Sequence, residues 1–368
     1  MHRYGAGVAT DPDIEAAVAG AVAEALAPLA GARPDVLFVF ASDAYGADAA
    51  RAGPLAFDEA APRALAGAVA VHGVIGTGRE LEDGPAVSVL AAALPGADVE
   101  VFHALADLGG VPELAEGALA VLLADPYTFG TDVLIERLGP GPLLVGGLAG
   151  GAGAGQARLF RDGGVLRAGA VGVVLPIEVC APLVSQGCRP IGPELVVTAA
   201  AGNALLELAG TPALEKIEEV FTALPDEDQR LARNGLLSGL VIDENRPEYG
   251  VGDYLVRVLL GADRDRGAVM IGDVPRVGQT FRLHVRDEAS ASAELEHVLA
   301  AAPAGGGALL FACNGRGRNL FRVADHDAGL VDRVLGVPAA GLFCQGEIGP
   351  VGGRNHIHGF TATLALFS

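Results

Sequence analysis

"ALLFACNGRG", residues 308–317, is an apolar run that ends in a cysteine and a glycine-rich turn. The helix-like stretch "DHDAGLVDRVLG" (325–336) follows it. A second apolar run, "AGLFCQGEIGPVGG" (340–353), again ends in glycines, and "FTATLALF" (360–367) is a third. This order predicts a strand, a helix, a strand that ends in a glycine-rich loop, and a returning strand.

Two earlier segments share this order, and they begin at "VLFVFAS" (36–42) and "ALAVLLADP" (118–126). Continuous apolar strands are usually buried on both faces, with helices outside. We therefore predict an α/β fold of mixed β-sheets flanked by helices, built from repeated strand-helix-strand-strand units. Two domains are expected, 1–176 and 177–368. In the second, hairpin turns are predicted at Gly202 with Asn203 and at "DRDRG" (263–267).

The composition excludes several functions. The formal net charge of −20 would repel a phosphate backbone, and the sequence has no basic run to offset that repulsion. No nucleic-acid binding is therefore expected. Hydrophobic residues make up 51% and charged residues 19% of the chain, which argues against disorder. Lys216 is the one lysine, so a phosphate-binding loop of the Walker type is absent.

The cysteines and the uncharged stretches indicate a cytoplasmic protein. The cysteines are widely spaced, as is typical of reduced core residues: Cys180, Cys188, Cys313 and Cys344. Acidic residues interrupt the N-terminal segment, so no signal peptide is predicted. Glycine and proline break the uncharged stretches 139–157 and 298–315, so we expect no membrane span.

No familiar motif for a cofactor is present. "GTGREL" (76–81), "GAGAGQ" (151–156) and "GRGRNL" (315–320) approach a dinucleotide fingerprint, but each lacks its third glycine. His356 and His358 would share one face of a strand, yet no second pair of ligands has the spacing of a zinc site. We therefore predict neither a cofactor nor a metal ion.

Glycine-rich turns beside arginines are the clearest chemical signal. Glycine lets backbone N–H groups approach a ligand, and arginine offers a planar fork to a carboxylate. The pairings are Gly76 and Gly78 with Arg79, Gly187 with Arg189, and Gly315 and Gly317 with Arg316. Glu80 and Glu347 accompany two of these turns and would accept an ammonium group. The set suits an amino acid or a similar zwitterion; alternatively, Arg79–Glu80 and Arg316–Glu347 are structural ion pairs.

Cys313 raises a different interpretation. It lies between the apolar run and "NGRG" (314–317), where arginines would lower the pKa of a thiol, and a histidine from 356–358 would act as its base. That arrangement would make a thiol-dependent hydrolase or transferase. The alternative is a buried cysteine at the end of a strand.

The chain resembles the FIST family, which carries FIST N and FIST C domains in tandem. The resemblance rests on "VLFVFAS" (36–42), "GVIGTGRELEDGPAVSVLAAALPG" (73–96), "VSQGCRPIGPELVVTAAAGNALLELAGTPALE" (184–215), "FACNGRG" (311–317) and "GLFCQGEIGPVGG…HGFTATLALF" (341–367). It implies a FIST N-like domain in 1–176 and a FIST C-like domain in 177–368. The family is regarded as sensory and is proposed to bind small ligands such as amino acids. We expect the stand-alone form, without an F-box or output module, and a separate signalling partner protein.

The resemblance supplies candidate site residues. The predicted ligand-binding residues are Gly76, Gly78, Arg79, Glu80, Gln186, Cys188, Asn314, Arg316, Gly317, Glu347 and His358. No catalytic residue is implied, although Cys313 and His358 would serve if the protein were an enzyme. A protein-interaction module without a ligand is the third interpretation. Cys344 and His356 lie outside the family signature.

Overall fold

The computed structural model of the protein describes residues 1–115, 117–151, 153 and 155–368. Ala152 and Ala154 of the glycine-rich stretch "GAGAGQ" (151–156) therefore lie outside the described residues. The fold is mixed α/β, as the sequence predicted. None of the helices in the described ranges combines the length and the apolar character needed to cross a membrane.

The α-helices of the described residues are short to medium in length. They are α1 (Ile14–Leu26), α2 (Ala52–Ala60), α3 (Thr131–Leu138), α4 (Ala213–Ala223), α5 (Asp226–Asn234), α6 (Glu288–Ala300) and α7 (His326–Leu335). Short 3₁₀ helices occupy Ala27–Leu29, Asp43–Arg51 and Gly317–Asn319.

The strands outnumber the helices. In chain order they are β1 (Arg3–Ala9), β2 (Val36–Ser42), β3 (Ala64–Ala70), β4 (Val74–Gly76), β5 (Arg79–Leu81), β6 (Val87–Ala93), β7 (Glu100–Ala104), β8 (Ala118–Ala124), β9 (Leu143–Leu148), β10 (Leu159–Arg161), β11 (Gly164–Leu166), β12 (Ala170–Pro176), β13 (Cys180–Ser185), β14 (Cys188–Ala201), β15 (Ala204–Leu208), β16 (Thr211–Pro212), β17 (Leu236–Val241), β18 (Tyr254–Asp263), β19 (Ala268–Ile271), β20 (Thr280–Arg286), β21 (Gly307–Cys313), β22 (Ala339–Cys344), β23 (Glu347–Val351), β24 (Arg354–His358) and β25 (Ala362–Phe367).

The chain forms two compact units. The first comprises Met1–Val184, Leu295–Ile357 and Thr361–Ser368, and the second comprises Ser185–Glu294 and His358–Phe360. Both ends of the chain therefore contribute to the first unit, and each unit is described by itself.

The first unit contains three six-stranded sheets. Their strand orders are β1-β6-β2-β3-β10-β11, β7-β12-β8-β9-β23-β24 and β13-β25-β21-β22-β4-β5. Each sheet contains a parallel pair, β2 with β3, β8 with β9 or β21 with β22, and a helix connects the two strands of that pair. A returning strand, β6, β12 or β25, pairs antiparallel with the first strand of that pair.

Hairpins are exchanged among these three sheets. The β4–β5 hairpin follows β3 in the chain but pairs with β22, while the β10–β11 hairpin follows β9 but pairs with β3. The β23–β24 hairpin follows β22 and pairs with β9. In each sheet, therefore, one hairpin comes from the chain segment of another sheet, and the hairpin that follows its own parallel pair joins a different sheet. Repeated units would pair in this way, and the repetition itself stays a prediction.

Burial explains why the apolar runs form these strands. Every residue of β2, β3, β6, β21, β22 and β25 is buried. One central cluster takes side chains from all three sheets, including Phe38, Val121 and Phe311, and further clusters form beneath the helices. The expectation of strands buried on both faces is confirmed, because each sheet packs on the shared core and on helices.

The second unit is built differently. The strands β14, β20, β17, β18, β19 and β15 pair antiparallel in that order, and β15 pairs back with β14. Closure of this ring leaves its strands without a free edge. Ile217 and Val220 of α4 pack in its apolar core. The hairpin turns predicted at Gly202 and at 263–267 are confirmed by the β14–β15 and β18–β19 pairs.

Candidate functional site

Polar side chains meet in the first unit where β21 and β3 end. The Asn314 amide, directly after β21, donates from Nδ2 to Nε2 of His72 at 3.1 Å, and both residues are partly exposed. Asp43, which follows β2, is an exposed residue near His72. Partial desolvation of its carboxyl raises the pKa of that group, and a positive charge on His72 would oppose the shift. A carboxyl, an imidazole and an amide therefore lie near one another, within reach of solvent, after the ends of three buried strands. We call this place the Asp43–His72–Asn314 opening.

The residue before Asn314 is buried beside it. Cys313 is only 4% exposed, and its thiol lies 3.6 Å from Oδ1 of Asn314. The Gly315 N–H donates to the Cys313 sulfur at 3.4 Å. The strand end is fixed by the backbone, because the N–H of Cys313 donates to the carbonyl of Thr361 at 3.0 Å.

Glu347 is a fully buried carboxyl beside Cys313. Burial raises its pKa well above the ordinary value, although the N–H of Thr361, the charge of Arg316 and the Cys313 thiol oppose the shift. The Thr361 N–H donates to Oε2 at 3.2 Å, while Oε1 has no hydrogen-bond partner among the described residues. Burial outweighs these contacts, so the Glu347 carboxyl favours the protonated form.

Arg316 is fully buried, and Asp327 holds it. Its Nε donates to Oδ2 of Asp327 at 2.6 Å and its Nη2 to Oδ1 at 2.9 Å, a bidentate pair. Burial alone would raise the pKa of Asp327, but the charge and hydrogen bonds of Arg316, with help from His326, lower it to about 2. Phe321 lies under the guanidinium at 5.2 Å and stacks on His326.

Glu80 caps the helix that carries Asp327. Its Oε1 accepts the N–H groups of Asp327 and Ala328 at 2.8 and 3.0 Å, in the first turn of α7. In return, the Glu80 N–H donates to Oδ1 of Asp325 at 2.6 Å. Burial, with the charge of Asp327, raises the pKa of Glu80 to about 7. These bonds join the β4–β5 hairpin to the N-terminus of α7.

Comparison with known proteins agrees with this architecture. The model of the FIST N domain matches residues 35–211, and that of the FIST C domain matches residues 213–350. The chain belongs to the FIST family. FIST domains are sensory domains implicated in signal transduction.

Full-length relatives of this FIST protein occur in mycobacteria. "Uncharacterized protein Rv0628c" of Mycobacterium tuberculosis (strain ATCC 25618 / H37Rv) is 43% identical over 383 residues, covering 99% of this chain and 99% of the relative. "Uncharacterized protein Mb0898c" of Mycobacterium bovis is 42% identical, covering 99% of this chain and 98% of the relative. The similarity therefore spans both FIST domains.

The structure gathers several of the predicted ligand-binding residues in the first unit of the FIST chain. Glu80 and Arg316 both contact Asp327, and Gly317 lies where a Cβ atom would meet the Glu82 carboxyl at 2.8 Å. Gly76, Gly78 and Arg79 belong to the β4–β5 hairpin; Arg79 is exposed, and Gly78 has a φ of 65° that favours glycine. Asn314 and Glu347 flank Cys313, as described above.

The remaining predicted residues belong to the second unit. Gln186, Cys188 and His358 are each 3–4% exposed, and the Gln186 amide donates to the carbonyl of Gly252 at 3.3 Å. Their ligand-binding roles, like those of the residues in the first unit, stay predictions. Within the described residues, no group of three or more His, Cys, Asp or Glu side chains is placed to hold a metal ion.

Sequence reasoning did not single out Asp43, His72 or Asp327. In the structure, His72 comes shortly after β3, as Gln345 comes directly after β22. The sequence had predicted a strand at 71–80, so this equivalence was not visible. Asp327 had no signal in the sequence either, because its partner Arg316 lies 11 residues away across a turn whose course the sequence does not fix.

Glu80 should make the stability of this FIST protein depend on pH. Its pKa is about 7 in the folded state against 4.5 ordinarily, so between these values the folded state keeps a proton that the unfolded state loses. The contribution is therefore complete below pH 4.5 and is lost as the pH rises to 7, about 3 kcal/mol in all. Urea unfolding of Glu80→Gln between pH 4.5 and 8 should lack this decline. Glu136→Gln, an exposed control on α3, should keep it, and an unchanged slope in Glu80→Gln would contradict the assignment.

Proposed function

We propose that this FIST protein is a signal-transduction sensor that binds a small polar ligand, with an amino acid as the first candidate, at the Asp43–His72–Asn314 opening. The observation that carries the proposal is the convergence of an exposed carboxyl with an imidazole and an amide at the ends of buried strands. Sensory function is the property of the family, and the ligand class is our inference from these groups.

The three groups complement a zwitterion. The Asp43 carboxylate suits an ammonium group, since a charged pair at a partly buried position is stronger than one in water. The Asn314 amide carries a second N–H, and the imidazole of His72 carries a second ring nitrogen; both suit a carboxylate. A few convergent polar groups over an apolar core are typical of small-ligand sites.

The buried network behind the opening holds Asn314 in position. The N–H of Arg316 donates to the carbonyl of Cys313 at 2.8 Å, and the N–H of Asn314 donates to the carbonyl of Cys344 at 2.9 Å. The Arg316–Asp327 pair and the Glu80 cap fix the far side of the same turn. A rigid backing of this kind lowers the entropy that a ligand must lose on binding.

Ligand-induced stabilisation tests the proposal. A ligand that binds only the folded state at 100 times its Kd stabilises by about 2.7 kcal/mol, which should raise Tm by several degrees in a screen of amino acids and organic acids. The shift should disappear in His72→Ala and in Asn314→Ala. It should persist in His297→Ala and Asn245→Ala, which remove exposed residues of the same types. A shift that survives loss of both His72 and Asn314 would place the site elsewhere.

The thiol-enzyme interpretation has less support. Its nucleophile, Cys313, is only 4% exposed, so a substrate would have little access to the thiol. The interaction-module interpretation is separated from the sensor by the same screen, because a module without a ligand would show no shift with any compound.

A further inference from the structure

The opposite end of β3 carries a second concave surface in the first unit. It has a volume of about 570 Å³, within the range of small-molecule sites. Arg3 of β1, Arg33 before β2 and Arg63 before β3 line it, together with Asp35 and the turn at Gly96 after β6. His72 follows the carboxyl end of β3, whereas Arg63 precedes its amino end, so the two openings share no lining residue.

We propose that this concavity, the Arg3–Arg33–Arg63 pocket, binds a small molecule through its phosphate group. Three guanidinium groups and one carboxylate line it, in a chain whose formal net charge is −20. A local excess of positive charge within a strongly acidic protein concentrates anions at that place.

Two of the arginines are held by backbone carbonyls. Arg3 donates from Nη1 to the carbonyl of Leu29 at 2.8 Å. Arg33 donates from Nε to the carbonyl of Ala61 at 2.7 Å and from Nη2 to that of Pro62 at 2.9 Å. A guanidinium has five N–H donors, so these bonds orient both groups and leave donors for a ligand.

The carboxylate in the pocket does not neutralise these two arginines. Asp35 accepts the N–H of Leu94 at 2.6 Å through Oδ2, and its Oδ1 pairs with Nη1 of Arg63 at 3.2 Å. Within the described part of the chain, neither Arg3 nor Arg33 forms an ion pair with a carboxylate. Two uncompensated positive charges match a phosphate monoester, which carries about −2 at neutral pH. A single carboxylate would leave one of them unmatched.

Calorimetric titration of the full chain with inorganic phosphate, at constant ionic strength and pH 7.5, tests the assignment. Saturable binding should weaken at least tenfold in Arg3→Gln and in Arg33→Gln. Arg167→Gln, an exposed arginine on the same unit, should bind phosphate like the parent. Circular dichroism and Tm of each variant show whether the fold is kept.

Asp35→Asn supplies a test in the opposite direction. The amide oxygen still accepts the N–H of Leu94, while the negative charge is gone and Arg63 is released. Phosphate affinity should rise severalfold. The proposal is overturned if phosphate gives no saturable heat, if Arg3→Gln and Arg33→Gln bind phosphate like the parent, or if Asp35→Asn does not bind it more tightly. Equal affinity for succinate, lost in the same variants, would overturn the choice of phosphate.

Discussion

Asp327→Ala should lower the free energy of unfolding by about 3–5 kcal/mol, which is the usual cost of removing one partner of a buried ion pair. Both side chains of the Arg316–Asp327 pair are 0% exposed, so the variant leaves a guanidinium without its counter-charge and without access to water. The N-terminus of α7 also loses the side chain that orients His326. Urea unfolding at pH 7 measures the loss.

A double variant separates the ion pair from simple loss of packing. Arg316→Met combined with Asp327→Leu removes both charges and fills most of the space, so it should recover much of the stability that Asp327→Ala loses. Arg333→Ala is the control on the same helix, because its pair with Glu296 is exposed on both sides and should be worth less than about 1 kcal/mol. Equal losses in Asp327→Ala and Arg333→Ala would show that the buried pair does not stabilise the fold.

The same pair bears on the candidate site. If Arg316 were chiefly a ligand contact, its replacement would affect ligand-induced stabilisation more than folding, as its place among the predicted ligand-binding residues implies. The structure instead favours a positioning role, since the guanidinium is enclosed by Asp327 and Phe321. Comparing Tm shifts with and without ligand in the double variant distinguishes these roles.

The sequence alone predicted the strands and helices of the fold better than it predicted which strands pair with one another. Continuous apolar runs gave β2 and β21 because full burial of a strand demands uninterrupted apolar side chains. The exchange of hairpins had no local signal, since β4 follows β3 in the chain yet pairs with β22. Pairing between distant segments depends on three-dimensional closure, which the periodicity of one segment does not encode.

For the candidate site, the sequence likewise predicted some of the residues but not their contacts. Asn314 and Arg316 were found because glycine-rich turns beside polar residues mark places where backbone approaches a ligand. Their contacts differ from those expected: Asp327 is a carboxylate partner of Arg316, and the first turn of α7 is the partner of Glu80. The sequence shows which residues are charged. Which of several nearby carboxylates pairs with Arg316 depends on packing, which the sequence does not show.

In each of these parallel pairs, the second strand has a glycine at a point where the first strand leaves no space for a side chain. Gly341 of β22 lies opposite Leu310 of β21, and a Cβ atom there would come within 1.8 Å of the Leu310 carbonyl oxygen. The corresponding distances are 2.0 Å for Gly67 opposite Val39 and 2.0 Å for Gly146 opposite Leu122. On its other side each glycine pairs with the incoming hairpin, at Ile75, Phe160 and Ile348 respectively. Such a glycine is a residue that repeated units would share.

Gly341→Ala should therefore destabilise the protein by about 3 kcal/mol, the upper end of the usual cost of overpacking a core. The clashing atom is a backbone oxygen in the middle of a sheet, so β21 and β22 must separate before the methyl group fits. Gly329→Ala is the matched control: nothing lies within 4 Å of its added methyl group, and it should stabilise α7 by about 0.5–1 kcal/mol. Urea unfolding of the two variants should thus give shifts of opposite sign. If Gly341→Ala were neutral, the close approach of β22 to β21 would not be needed for the hairpin to dock.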